Sequence, residues 1–235
     1  MLKDLKEQVL IENLNLQKFG LVLYTWGNVS AVDRGKGVVA IKPSGVPYEE
    51  LKTDDIVVVD LENGQTVEGN LKPSSDLPTH LELYRAFREI GGVVHTHSMY
   101  ATSFAQAGRG IPPLGTTHAD YFYGEIPCSR GLTRDEIAAE YEKNTGRVMV
   151  AQLKQNEVTG ENALAVPSIL VRQHGPFNWG KDAKEAVHNA VVCEQLAKMA
   201  IHTMLLCPEV DWLNPHLLDK HFLRKHGESA YYGQS

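Results

Sequence analysis

The stretch Gly92-Val93-Val94-His95-Thr96-His97-Ser98 decides how this chain is read. A glycine, two valines and no formal charge describe a buried strand. Side chains alternate between the faces of a strand, so His95 and His97 point the same way. Two imidazoles side by side on one rigid strand make a metal-binding pair. The competing reading is an idle pair on a wet face, which is common for H-x-H alone. Two features weigh against it. The strand is otherwise apolar, so its faces are expected to be covered. A separate turn, Arg172-Gln173-His174-Gly175-Pro176, offers His174 as a third imidazole that can converge on the same spot.

Bulk properties narrow the partners. The chain has 235 residues, 43% hydrophobic and 22% charged, which is enough for an ordinary buried core. A net charge of -6 excludes a general nucleic-acid binder, which needs a basic face. Any anionic ligand must be held by local groups against the overall field. Three widely spaced cysteines, Cys128, Cys193 and Cys207, fit neither a disulfide framework nor a cysteine zinc site. Met1-Leu2-Lys3-Asp4 leads straight into a charged amphipathic pattern, and no run of about 18 apolar residues occurs. These features place the chain in the cytoplasm as an expectation, with no membrane and no nucleic-acid partner.

Periodicity outlines the elements. Leu2, Leu5, Val9 and Leu16 predict a helix to about Lys18, stopped at Gly20. Strands are expected from Tyr24 to Val32, with a break at Gly27-Asn28, then over Val38 to Ile41 and Ile56 to Asp60. Asn63-Gly64 signals an antiparallel hairpin returning over Gln65 to Glu68. Leu77, Leu81, Tyr84 and Phe87 predict a helix capped by a serine or Asp76, with Pro78 in its first turn. A short helix is expected near Ala101 to Ala107, and extended chain over Ile111 to Leu114 and Ile126 to Cys128. Thr133-Arg134-Asp135-Glu136 is a capping box; its helix carries Ile137 and Tyr141, is interrupted at Gly146, and resumes to about Gln155. Ile169 to Val171 reads as a strand, Asp182 to about Leu206 as a long helix, and Leu217 to Lys225 as the last one. No repeat or linker divides the chain. The expectation is one α/β domain, residues 1–235, with a central, largely antiparallel β-sheet covered by helices.

Polar clusters supply the candidate chemistry. Gly27-Asn28, Ser44-Gly45 and Ser74-Ser75 are small and polar, so a ligand can approach the backbone and phosphate oxygens can be surrounded by N–H and hydroxyl groups. Ordinary turns and caps are the competing reading for each. Lys42 stands beside Pro43-Ser44-Gly45 and can add a cation. Gly115-Thr116-Thr117-His118-Ala119-Asp120-Tyr121-Phe122-Tyr123-Gly124 is dense in hydroxyl and titratable groups. Its aromatic residues are expected to exclude water and raise the Asp120 carboxyl toward an acid/base range. An Asx-type turn at Asp120 is the alternative. The Tyr231-Tyr232 tail reads as a segment that docks, either onto a neighbouring subunit or onto its own domain.

Taken together these segments resemble the class II aldolase and adducin-head family, most closely its pentulose-phosphate 4-epimerase branch. The carriers are Thr25-Trp26-Gly27-Asn28-Val29-Ser30, Ile41-Lys42-Pro43-Ser44-Gly45, Lys72-Pro73-Ser74-Ser75-Asp76 and His95-Thr96-His97-Ser98. Gly115 to Gly124, His174-Gly175-Pro176-Phe177, His221-Phe222-Leu223-Arg224-Lys225-His226-Gly227 and Tyr231-Tyr232-Gly233-Gln234 continue the match nearly to the end. The resemblance implies a class II aldolase-like fold and one divalent metal, usually Zn²⁺, held by His95, His97 and His174 with Asp76 beside it. Asp76 matches a position that is commonly Asp in the epimerases and Glu in the fuculose-phosphate-type aldolases. The resemblance further implies phosphate binding by Gly27, Asn28, Ser44, Gly45, Ser74 and Ser75. It assigns proton transfer to Asp120 and Tyr232, places His221 near the same site, and implies a homotetramer in which Tyr232 reaches a neighbouring subunit.

The implied reaction interconverts L-ribulose 5-phosphate and D-xylulose 5-phosphate. The ketone acidifies the hydrogen on C3 but not that on C4, so enolisation cannot invert C4. Breaking and remaking the C3–C4 bond can. Two acid/base groups are then needed, because the aldehyde presents opposite faces in the two directions. An aldolase of the same fold, a non-catalytic adducin-like module and a non-haem iron oxygenase are the alternatives. The module need not keep the ligand set, and the oxygenase leaves the phosphate-type segments unexplained.

Overall fold

The computed structural model describes residues 2–227 and 230–232. Its centre is a seven-stranded sheet: β1 (Gly27–Asp33), β2 (Val38–Ile41), β3 (Val57–Asp60), β4 (Thr66–Glu68), β5 (Gly92–Thr96), β6 (Ser168–Leu170) and β7 (Pro176–Gly180). The order is β4-β3-β2-β1-β5-β7-β6, and every neighbouring pair is antiparallel.

Alternation along the strands builds two cores. Val39, Ile41, Val57, Val59 and Val93 face α2 (Leu77–Ala86) and, over it, the later α6 (Tyr141–Gln155). Val38, Ala40, Val58 and Val94 face the other way, onto α1 (Leu2–Lys18) and α7 (Ala183–Leu206). Each residue sends its side chain opposite to the last, so strands buried on both faces read as continuous apolar runs. A third core packs α3 (Met99–Ala107) and α7 against Ile111, Phe122 and Ile126. The shorter helices are α4 (Thr116–Ala119) and α5 (Arg134–Ala138), and α8 (Pro215–His226) is the last. Among the described residues no helix is long and apolar enough to cross a membrane.

Most expected elements are present, with instructive exceptions. The first helix stops as expected: the Leu21 N–H donates to the Leu16 carbonyl at 3.0 Å around Gly20. β1 begins at Gly27, not Tyr24, because residues 23–26 close a turn with the Trp26 N–H on the Leu23 carbonyl. Gly146 does not interrupt α6. The break falls at Ala139-Glu140, and Gly146 lies inside the helix, where a Cβ would come within 2.7 Å of the Glu82 Cβ. Its small size permits close packing of α6 on α2. Asp76 occupies the cap position of α2, but its side chain caps nothing. The Ser74 hydroxyl instead accepts from the Asp76 N–H at 3.3 Å. β7 is a strand that the sequence pattern did not announce, since Pro, Asn and Gly are poor strand formers. It exists because Val93, Val94 and His95 of β5 pair with Trp179, Asn178 and Phe177.

Candidate metal and anion site

Strand register assembles the site. Asn28 on β1 lies directly opposite His95 on β5, and His95 lies opposite Phe177 on β7. This row ends at the edge of the α2-covered face. The strand stops at Thr96, so His97 stands one residue beyond it, and its ring turns back to 4.9 Å from that of His95. His174 arrives from the turn before β7, its ring 4.7 Å from His95 and 5.0 Å from His97. That turn needs Gly175, because a Cβ there would lie 2.7 Å from the Thr96 carbonyl oxygen.

The three imidazoles can hold one metal ion. One nitrogen from each falls within 4.8 Å of the others. His95 Nδ1 donates to the Pro176 carbonyl at 3.0 Å, which fixes the tautomer and leaves Nε2 as the ligand atom. That Nε2 faces the Nε2 of His97 at 3.2 Å. Phe177 stacks on His95 at 4.2 Å and holds the ring plane. Burial, then the neighbouring imidazoles, push the His174 pKa down to about 3; burial, then His95, lowers His97. Neutral imidazole is the form a cation requires.

These histidines form one wall of a cavity of about 430 Å³ that is also lined by Gly27, Asn28, Lys42, Ser44, Gly45, Ser74, Ser75 and Asp76. That volume suits a small metabolite. The sequence-predicted metal and anion residues are thus all brought together. Asp76 is half-buried, and its Oδ2 accepts from Asn28 Nδ2 at 2.7 Å. Burial alone would raise this carboxyl; its interactions with the His95 and His80 rings and the Asn28 hydrogen bond outweigh it and hold it low. Lys42 is buried at 2% exposure, and its ammonium donates to the Val46 carbonyl at 2.6 Å. Desolvation pulls its pKa down to about 8.

Sequence reasoning missed several supports. Tyr141 and Glu142 line the cavity from the start of α6. The Thr79 hydroxyl donates to the Glu142 carbonyl at 2.6 Å and sets that helix start over the site. The Tyr48 hydroxyl donates to the Gly27 carbonyl at 2.7 Å, tying the Ser44-Gly45 loop to β1. Behind Asp76, the buried His80 Nδ1 meets the Ser30 hydroxyl at 2.8 Å, which meets that of Tyr84 at 2.8 Å. The one available signal was spacing: His80 and Tyr84 fall four apart on the inner face of α2.

Asp120, His221 and Tyr232 do not line this cavity. They form a second cluster between α4, α8 and the tail. Asp120 Oδ1 accepts from Arg224 Nη2 at 2.9 Å and from His221 Nδ1 at 3.1 Å, while Lys225 Nζ stands 3.6 Å from Oδ2. Tyr232 lies over these cations, its ring 4.7 Å from Arg224 Cζ and 4.8 Å from Lys225 Nζ. The expected upward shift of Asp120 is therefore reversed. Burial would raise it, but hydrogen bonds from Arg224 and His221 and the charge of Lys225 prevail and lower it. Nor is it an Asx turn, since its carboxylate is met by side chains. Gly233 and Gln234 of the tail match lie outside the described residues.

An antiparallel sheet covered by helices, with three histidines that can hold a metal and a polar, glycine- and serine-rich wall, defines the class. The model of the class II aldolase and adducin N-terminal domain matches residues 7–201, and the chain belongs to that family. Among solved structures it is similar to an L-fuculose 1-phosphate aldolase, 26% identical with a TM-score of 0.77 over 93% of this chain and 94% of that one. It also shares its fold with YgbL from Klebsiella pneumoniae, described as a candidate aldolase, epimerase or decarboxylase (22% identity, TM-score 0.69, 92% and 97% covered). L-fuculose-1-phosphate aldolase from Thermus thermophilus shares it as well (24%, 0.64, 89% and 98%).

Proposed function

We propose that this protein is a metal-dependent L-ribulose-5-phosphate 4-epimerase, interconverting that sugar phosphate with D-xylulose 5-phosphate. The observation that carries the reading is Asp76. It stands on the wall of the three-histidine cavity, braced by Asn28, at the position that the resemblance matches to Glu in fuculose-phosphate-type aldolases. A divalent cation held by His95, His97 and His174, zinc in this reading, supplies electrophilic stabilisation of negative charge on the ketone side of the substrate.

The protein's own groups do the rest. Ser44, Gly45, Ser74 and Ser75, with Gly27, Asn28 and Lys42, bind the phosphate. A base removes the C4 hydroxyl proton, the C3–C4 electron pair moves toward the ketone, and glycolaldehyde phosphate is released within the cavity. The phosphate contacts retain it while its carbonyl turns. The bond re-forms on the opposite face, and the second group returns a proton to the C4 oxygen. Asp120 and Tyr232 carry these protons, with His221 supporting Asp120. In this reading the cluster serves a neighbouring subunit of a homotetramer, which is supported by its lying outside the cavity of its own chain. In this reading the reaction, on a phosphorylated sugar, belongs to the cytoplasm and to pentose catabolism such as that of arabinose.

A second reading is a class II aldolase, favoured by the likeness to an L-fuculose 1-phosphate aldolase. A coupled assay on L-ribulose 5-phosphate, before and after chelation and zinc return, separates the two. Metal-dependent D-xylulose 5-phosphate with little free aldehyde is the expected result. Accumulating glycolaldehyde phosphate would make it an aldolase.

A further inference from the structure

Asp120 projects from the end of a one-turn helix, and Tyr232 belongs to the tail beyond α8. Both meet at Arg224. Its Nη2 donates to Asp120 Oδ1 at 2.9 Å and Oδ2 at 3.2 Å. Its guanidinium carbon sits 4.7 Å from the Tyr232 ring centre. Its carbonyl accepts the Tyr231 and Tyr232 N–H groups at 3.0 and 3.1 Å, which folds the tail back on α8. Its Nε is buried with no partner among the described residues, so it is held there at a cost.

We infer that Arg224 is the positioning residue that holds Asp120 and Tyr232 in one geometry, so that the acid/base pair reaches the substrate as a unit. The inference rests on the proton-transfer roles proposed above. A guanidinium is suited to this role, because its edge bonds a carboxylate while its face stacks on an aromatic ring. Lys225 also approaches Asp120, Tyr232 and, at 4.3 Å, the Tyr121 ring, but an ammonium is a point charge without a plane.

The test compares Arg224→Gln and Arg224→Lys with Asp120→Asn and Tyr232→Phe, all in the zinc-loaded full chain. It reads kcat, KM, zinc content, thermal midpoint and the pH profile of kcat. Arg224→Gln is expected to lower kcat about 50-fold, as a small misplacement of reacting groups does. KM and zinc content should stay within about twofold. Arg224→Lys should recover part of the loss, because it keeps the charge and loses the plane. The acidic limb of kcat should move to higher pH in Arg224→Gln, since among the described residues His221 and Lys225 are the basic groups then left on the carboxylate. A near-normal kcat in Arg224→Gln, with Asp120→Asn and Tyr232→Phe both severely slowed, would overturn the inference and leave the proton-transfer reading intact. Normal rates in Asp120→Asn and Tyr232→Phe would overturn that reading and the inference with it. Lost zinc or early melting in both Arg224 variants would make the residue structural and refute a positioning role.

Discussion

The histidine cavity and the Asp120 cluster are both polar, yet they are built in opposite ways. The cavity hangs on a central strand. His95 is locked by a backbone carbonyl on one nitrogen, a stacked Phe177 on one face and paired strands on either side. Burial, with the neighbouring imidazoles, lowers the pKa of His174 and His97. The cluster is assembled from a four-residue helix, the last helix and the tail, and is held by ion pairs whose partners are 16–22% exposed. Tyr232 itself is 58% exposed. A ligand set gains from a rigid scaffold, whereas under the proposed function the cluster's proton-transfer groups serve a neighbour and must sit at a surface.

Four measurements sharpen or break that contrast. The largest effect belongs to the rigid half. His97→Asn should lose bound metal and reduce turnover on the order of 10³-fold or more, since two imidazoles cannot hold the ion at micromolar levels. Retained zinc with a near-normal rate would remove the basis of the site.

Tyr232→Phe should lower kcat by about 10²–10³-fold with zinc content unchanged, as expected for loss of one acid/base group. Mixing this variant with His97→Asn, after dissociation and reassembly, should restore activity, because an intact pair of half-sites then meets across one interface. Mixtures as inactive as their parents would place the cluster's work within its own chain and end the division between the two regions.

Smaller changes are expected on the anion wall. Ser44→Ala and Ser75→Ala should each raise KM for the phosphorylated sugar about 10-fold with little change in kcat, the scale of one hydrogen bond to a charged group, about 1.5 kcal/mol. An equal fall in kcat would mean that these hydroxyls act at the reacting carbons and not at the phosphate.

The mildest effect concerns Lys42. Its ammonium loses its charge near pH 8 in the folded protein, well below the ordinary lysine value, because it is desolvated. KM should therefore climb above about pH 8, and Lys42→Met should start high and stay flat. The linked stability has a definite sign. A depressed lysine pKa means that the unfolded chain binds more protons, so stability rises with pH from about 8 to the ordinary lysine range. Chemical denaturation at about pH 7.5, below that window, and about pH 10, near its upper end, checks this. A fall over that interval in the wild type, absent in Lys42→Met, would contradict it.

The two regions were also unequally legible. His95, His97 and His174, and the three small-residue segments, announced themselves by residue type and spacing, and all line one cavity. Asp120 was noticed for its titratable neighbourhood, but its charge environment was misjudged. The deciding cations, Arg224 and Lys225, lie more than a hundred residues further along, and only the docking of α8 on α4 brings them to it. Tyr141 and Glu142 passed as ordinary helix residues, because nothing in their spacing reveals that Thr79 anchors that helix start over the site.

By itself the sequence determined what depends on neighbours along the chain: the two-residue alternation that splits valines between two cores, the helix caps at Thr133 and Asp182, the stop at Gly20, and a pair of imidazoles on one strand. Tertiary structure decided what depends on contacts between distant segments. Pro176 to Gly180 became a strand because β5 and β6 offered it partners on both sides, Gly146 stayed in a helix because α2 presses against it, and Asp120 settled low because α8 carries its cations there. Backbone pairing, close packing and electrostatic potential act through space, and a local pattern of residues carries no record of what will be folded against it.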